Sequence, residues 1–353
     1  MISMYAIILR HFFADGNGRR HYPNYKRQIE WWYTFMDFHN NAFMLISGIV
    51  GYKTNKYANL LYLWLTAFFY SVGIHKYIIH FQKRFYINQP MYKEYFPMIF
   101  QRYWYFTAYF GMYIFLPVIN KGISYLSKGE LKFVVITTLG IINIWRYYKN
   151  PKVDVFNLNG GSSVIWLLTF YLTGAYIGKY HVDYSGVKKY IYCILLACIY
   201  FFFSYLFFKV SHDELYLGKG YYQIEIVNIL KRMLLEKLDS LTRIIQAITI
   251  CLFFMQIRFN KYLAKFISFF GPLIFGIYLT HNHKVIKENI SRRTFIGLSK
   301  KLSVNDLFSY VLLRALKMFI ICTFVDYLRH LLFTILRIRK ILIVLEEKIK
   351  EII

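Results

Sequence analysis

The sequence predicts an all-α, polytopic integral membrane protein with about ten transmembrane helices. Apolar residues make up 57% of its 353 residues, above the about 45–50% of a typical soluble domain. They are concentrated in successive runs, several of them near the about 20 residues that a helix needs to cross a bilayer. The 21% aromatic content, with 34 Tyr and 34 Phe, fits many bilayer interfaces, where a ring with one wet edge is stable.

The first apolar run, MISMYAIILRHFF at 1–13, is shorter than a bilayer span and carries Arg10 and His11 near its end. It is a short span, a truncated one, or an interfacial helix. The other predicted spans are 31–52, 57–79, 97–119, 131–145, 163–180, 187–208, 241–257, 266–280 and 307–333. We predict a single transmembrane domain over 1–353, with an amphipathic surface helix near 224–238 and a basic amphipathic tail at 337–353.

The formal net charge of +26 indicates the class of partner. Lys and Arg are spread over the polar connections and do not form one patch, which argues against nucleic acid. Anionic membrane lipid and anionic or phosphorylated ligands are the expected partners. The four cysteines lie inside apolar runs without a metal-like or paired spacing, so we expect no disulfide framework and no zinc.

Polar side chains inside the apolar runs are the candidates for chemistry, because such groups usually face a cavity or a partner. They include Asp37 and Asn41 in the second run, Arg102 beside Trp104 and Tyr105 in the fourth, and His281 at the end of the ninth. Each also has a structural explanation, since aromatic rings mostly pack and His281 could simply end its helix.

No metal site is expected at the end of the ninth run. His281 and His283 are two residues apart, so on a helix they point in different directions and make poor joint ligands. Ser47 and Gly48, in the second run, are predicted to permit close approach of a neighbouring helix.

Four stretches resemble the membrane-bound acyltransferase family 3, which includes O-acetyltransferases of bacterial surface polysaccharides. They occur in the order found in that family, and the resemblance spans most of the chain. The stretches are FHNNAFMLISGIVGYKTNKYANLLYLW (38–64), QRYWYFTAYFGMYIFLPVIN (101–120), WLLTFYLTGAYIGKY (166–180) and FFGPLIFGIYLTHNH (269–283).

The resemblance implies transfer of an acyl group, by default acetyl, from acetyl-CoA to a hydroxyl of a cell-surface or lipid-linked carbohydrate at the bacterial plasma membrane, without a metal. It implies that His11 is the catalytic histidine. The family pattern has an arginine before this histidine, with ten residues between them, so the matching position falls one residue before Met1. We expect that arginine to be encoded upstream or to be missing from this member.

The same resemblance gives the remaining candidates a binding role toward substrate or cofactor. Arg102 could meet a phosphate of coenzyme A or of a lipid-linked sugar, and Trp104 and Tyr105 suit the apolar face of a sugar. Asp37, Asn41 and His281 complete the predicted binding set. The alternatives are a transporter or flippase of a lipid-linked sugar, although no inverted repeat is found, and a catalytically degenerate family member.

Overall fold

The computed structural model describes residues 1–15, 22, 26–54, 56–81, 90–148, 154, 156–212, 240–291, 298 and 302–352. All regular secondary structure over these residues is helical, which confirms the all-α fold class. The α-helices are α1 Ile2–Asp15, α2 Lys26–Phe35, α3 His39–Gly51, α4 Tyr57–Phe81, α5 Tyr92–Tyr95, α6 Trp104–Ile114, α7 Leu116–Tyr125, α8 Lys128–Tyr148, α9 Val164–Tyr180, α10 Gly186–His212, α11 Leu241–Gln256, α12 Lys261–Phe270, α13 Ile274–Asn282, α14 Lys284–Ile286, α15 Val304–Ile335 and α16 Ile338–Ile352.

Several helical segments are suited to a bilayer. Within the described ranges, four are long and apolar enough to cross it: Tyr57–Phe81, Gly186–Lys209, Lys261–Asn282 and Asn305–Ile335. The apolar helices Ile2–Phe13 and Leu241–Gln256 are shorter. The predicted surface helix near 224–238 lies outside the described residues, whereas the predicted tail is the helix α16.

Two predicted spans are divided by turns. The run 31–52 is split where α2 ends and α3 begins, and the turn between them contains Asp37. The run 97–119 is split at Phe115, and Pro117 follows in the first turn of α7. Proline lacks the backbone N–H that would continue the preceding helix, so this break follows from the local sequence.

The chain divides into two compact units. Unit 1 comprises Met1–Ile29, Lys56–Phe110 and Phe259–Ile353, and unit 2 comprises Glu30–Asn55 and Gly111–Arg258. The single domain expected over 1–353 stays a prediction.

Unit 2 contains a very close contact between α3 and α9. A Cβ added at Gly48 would lie 2.1 Å from the carbonyl oxygen of Tyr171, and one added at Gly174 would lie 2.2 Å from that of Leu45. Both distances are far below van der Waals contact, so each helix needs a residue without a side chain at this crossing. The predicted helix approach at Gly48 is confirmed.

Unit 1 is built around α1, which packs against α13 and α15. Ile8, Leu9 and Phe12 are each at most 2% exposed, as expected for apolar side chains that face a helix neighbour. The hydroxyl of Tyr5 donates to the carbonyl oxygen of Leu312 at 2.9 Å and ties α1 to α15. The first apolar run is therefore a buried helix of unit 1.

Candidate functional site

A pair of histidine rings joins α1 to the end of α13. The ring centroids of His11 and His281 are 5.3 Å apart and the rings are inclined by 40°. His11 is half-buried and His281 is buried. The Nδ1 of His281 lies 2.7 Å from the carbonyl oxygen of Ile277. Because a carbonyl only accepts, Nδ1 carries the hydrogen and Nε2 is the basic nitrogen of the neutral ring.

A buried carboxylate, Glu94 on the short helix α5, collects the second group of polar side chains. Arg102 donates from Nη2 to its Oε1, and the hydroxyl of Ser71 donates to its Oε2 at 2.5 Å. The Nδ1 of His75 lies 3.4 Å from Oε1, and the Nε2 of His283 lies 3.8 Å from Oε2. We call these five residues the Glu94 cluster.

The end of α13 connects the histidine pair to the Glu94 cluster. The helix ends at Asn282, and the backbone of His283 has φ −57° and ψ 129°, which is not helical. His281 therefore faces His11, whereas His283 turns toward Glu94. The two histidines therefore contact different neighbours because the helix ends between them, and not because of the helical spacing on which the prediction rested.

A series of aromatic ring contacts connects His281 to the predicted residues Tyr105 and Trp104. The ring of Tyr278 lies 6.2 Å from that of His281 and 6.3 Å from that of Tyr105. Trp104 packs edge-on against Tyr105 at 5.5 Å. The predicted residues Trp104 and Tyr105 are thus linked to His281 through Tyr278, inside unit 1.

The other two predicted residues lie in unit 2, and each has a buried partner there. Oδ2 of Asp37 is 3.2 Å from Nη2 of Arg243. Trp166 donates from its indole N–H to Oδ1 of Asn41 at 3.0 Å. These contacts join α11 to the turn before α3, and α9 to α3. The predicted binding role of Asp37 and Asn41 stays a prediction.

Sequence reasoning singled out Arg102 and His283 but missed Glu94, the carboxylate that brings the cluster together. One sequence feature could have indicated it. Glu94 is the only acidic residue between Asp37 and Glu130, so a lone carboxylate occurs in a long stretch without another acid. It lies in a connection between apolar runs, so a search for polar groups inside spans does not reach it.

A buried network on α15 was also missed. Arg329 donates from Nε and Nη2 to the two oxygens of Asp326, each at 2.8 Å. The hydroxyl of Tyr70 donates to the same carboxylate at 2.7 Å. The sequence feature that could have indicated this network is the spacing of Asp326 and Arg329, which lie three residues apart in the predicted span 307–333. The network fixes α4 against α15 one residue before Ser71.

The electrostatic balance in unit 1 follows from these contacts. Arg102 and Arg329 each have a carboxylate partner, which is required of a buried cation. Over the described ranges, no group of three or more His, Cys, Asp or Glu side chains is arranged to hold a metal ion. The imidazoles of His11 and His281 are groups that can transfer protons near neutral pH.

Comparison with known proteins gives the family. The family model Acyl_transf_3, described as an acyltransferase domain, matches residues 1–328. Comparisons with curated proteins and with solved structures found no match. The matched region contains the histidine pair and the whole Glu94 cluster. The chain therefore belongs to acyltransferase family 3 and is a multi-pass membrane acyltransferase.

Proposed function

We propose that the chain transfers an acetyl group from acetyl-CoA to a hydroxyl of a cell-surface or lipid-linked carbohydrate at the bacterial plasma membrane. The single observation that carries the proposal is the His11–His281 ring pair, with centroids 5.3 Å apart, in a chain of this family. A hydroxyl is a weak nucleophile toward a thioester until a base takes its proton, and histidine is the side chain best suited to do so near neutral pH.

In the proposed reaction His11 is the base. It accepts the proton of the acceptor hydroxyl while the oxygen attacks the carbonyl carbon of the thioester. The C–S bond then breaks, and the imidazolium of His11 returns the proton to the departing thiolate of coenzyme A. His281, fixed by its hydrogen bond to Ile277, holds the His11 ring in place and shares the positive charge.

Three of the remaining candidates are proposed to bind substrate. Arg102 has five N–H donors and gives Nη2 to Glu94, so other donors of the same guanidinium serve a phosphate of coenzyme A or of a lipid-linked sugar. Trp104 and Tyr105 would offer their faces to the sugar. The binding role predicted for Asp37 and Asn41 is not part of this proposal, because both have buried partners in unit 2.

The test is transfer of radiolabelled acetyl from acetyl-CoA to glycan in membranes that contain the full chain. The variant His11→Gln keeps a polar side chain and removes the base, so we expect labelling to fall by about 10²–10⁴-fold. The matched control is His80→Gln, which changes an exposed histidine at the end of α4 and should label at the wild-type rate.

Both variants are first checked for equal amounts of inserted protein. Wild-type labelling by His11→Gln at equal protein would exclude His11 as the base. Absence of labelling from the unaltered chain, with glycan acceptors present, would count against acetyl transfer itself.

A further inference from the structure

The C-terminal helix α16 lies beyond residue 328, where the family match ends. It follows α15 after a two-residue turn in which Arg337 has φ +53°, a left-handed helix end. The preceding segment Asn305–Ile335 is long and apolar enough to span a bilayer. Because only two residues separate them, α16 begins directly at the end of that segment.

A second contact places α16 at the start of another span. The carboxylate of Glu346 accepts hydrogen bonds from the backbone N–H groups of Tyr57 at 3.1 Å and Ala58 at 2.8 Å. These are the first N–H groups of α4, which have no partner inside their own helix. Lys350 donates to the same carboxylate at 2.7 Å. The helix therefore lies across the beginning of α4.

Docking on α4 uses one side of α16 and leaves its apolar stripe exposed. Leu342 and Glu346 are the buried side chains, each 8% exposed. The exposed stripe is formed by apolar residues that recur at helical spacing and are 45–84% exposed, namely Ile341, Leu345, Ile349 and Ile352. Ile335 and Leu336, at the end of α15, are exposed as well and continue the same kind of surface toward the span.

The charges of this region favour an anionic partner. Outside the Glu346–Lys350 pair, the region has four cations and two anions. The cations are Arg337, Arg339, Lys340 and Lys348, and the anions are Glu347 and Glu351. A helix with an apolar stripe and an excess of Lys and Arg is typical of one that lies in the interface of an anionic membrane.

We propose that α16 is an interfacial helix, with the Ile341–Leu345–Ile349–Ile352 stripe inserted among the acyl chains of an anionic lipid surface. The membrane is favoured over a second copy of the chain because the stripe continues from the end of a spanning helix and is accompanied by cations. The proposal concerns lipid binding and does not depend on which acyl group or acceptor the protein uses.

Photocrosslinking in the full chain tests the proposal. The photoreactive residue p-benzoylphenylalanine replaces Leu345 or, as the matched control on the opposite side of α16, Glu347. Each protein is reconstituted in vesicles of phosphatidylcholine or of equal parts phosphatidylcholine and phosphatidylglycerol, with tritium in the acyl chains. We expect lipid adducts from position 345 and few from position 347.

The same lipid adducts also measure how much the cations of α16 contribute to the preference for anionic lipid. We expect position 345 to react more with phosphatidylglycerol than with phosphatidylcholine, and Lys340→Gln with Lys348→Gln to lower this preference by about fivefold for each cation that reaches the surface. An adduct between two chains, or equal lipid adducts from both positions, would overturn the interfacial helix. If position 345 gives equal adducts with phosphatidylglycerol and phosphatidylcholine while Lys340 and Lys348 are unchanged, the anionic preference is overturned.

Discussion

Both units bury a carboxylate next to an arginine, but the surroundings of the two pairs differ. In unit 2, Arg243 beside Asp37 also donates to the carbonyl oxygen of Thr34 at 2.6 Å and to Gln246 at 2.9 Å. Its guanidinium stacks 3.8 Å from the ring centroid of Phe207. These three partners are not titratable near neutral pH, which favours a structural role for the pair in unit 2.

In unit 1 the corresponding carboxylate is flanked by titratable groups. Glu94 has Arg102 as its cation, and two imidazoles, those of His75 and His283, lie within 3.8 Å of its oxygens. His283 is two residues from His281, which faces His11. A buried charge pair alone therefore does not mark a functional site. The two histidines beside Glu94 distinguish the Glu94–Arg102 pair from the Asp37–Arg243 pair.

Removing either carboxylate should destabilise the protein strongly. Asp37→Leu takes the carboxylate from Arg243, and Glu94→Leu takes it from Arg102, so each leaves a buried arginine without its anion. We expect each change to cost about 3–5 kcal/mol, measured as a loss of thermal stability in detergent. A change in either variant as small as that of an exposed position would contradict the assignment of a buried pair.

Replacing both partners should separate the two pairs by function. A buried ion pair can be replaced by apolar residues of similar size with little loss of stability. We therefore expect Asp37→Leu with Arg243→Met to recover both stability and acetyl labelling. Glu94→Leu with Arg102→Met should recover stability but not labelling, because His75 and His283 lose the carboxylate that they face and the proposed phosphate contact of Arg102 is removed as well. Equal labelling by the two double variants would remove the distinction between the units.

A smaller effect is expected where unit 2 is held by backbone contact. Gly48→Ala would put a Cβ 2.1 Å from a backbone oxygen that cannot rotate away, so α3 and α9 must separate. We expect a loss of about 1–3 kcal/mol. The control is Gly140→Ala in α8, where no atom lies within 4 Å of the added Cβ and the change should be neutral or stabilising. Equal melting temperatures for the two variants would show that the contact is not rigid.

The fold class could be predicted from the sequence because it depends on composition and on the length of apolar runs. The division of the spans 31–52 and 97–119 was harder to predict. Pro117 is a local signal, but the turn at Asp37 depends on Arg243, more than two hundred residues later in the chain. A contact of that range leaves no trace in a window of about 20 residues.

The candidate site could also be predicted only in part. His11 was assigned by family resemblance, and its neighbour His281 by its place at the end of an apolar run. Glu94 was missed because its connection looks basic and solvated in the sequence. Only the folded chain brings it to Ser71 and His75 of α4 and makes it one of the most buried acids in unit 1.

The smallest expected effect concerns Glu346, a carboxylate of unit 1 whose partners among the described residues are a lysine and backbone N–H groups. Burial raises the pKa of Glu346, but hydrogen bonds from Lys350 and from the N–H groups of Ala58 and Tyr57 outweigh it and hold the pKa below its usual value. A lowered pKa means that the folded state binds the proton more weakly than the unfolded chain. The stabilisation is then complete above about pH 4.3, the usual value for glutamate, and is lost as the pH falls through the lowered pKa.

Glu346→Gln keeps an acceptor oxygen and removes the charge, so we expect the start of α4 to lose about 1 kcal/mol of protection near pH 7, the size of a typical helix cap. The measurement is amide hydrogen exchange of a peptide covering Tyr57 and Ala58, with the exposed neighbour Glu347→Gln as control. The difference between wild type and Glu346→Gln should shrink progressively as the pH falls from about 4.3 through the lowered pKa, because the wild-type carboxylate takes up its proton over that range. Since the partners of Glu346 are Lys350 and the backbone N–H groups of α4, none of which takes part in the proposed reaction, acetyl labelling should stay at the wild-type rate. A loss of labelling as large as that of the Glu94 double variant would mean that a structural carboxylate cannot be told from a functional one by the histidines around it.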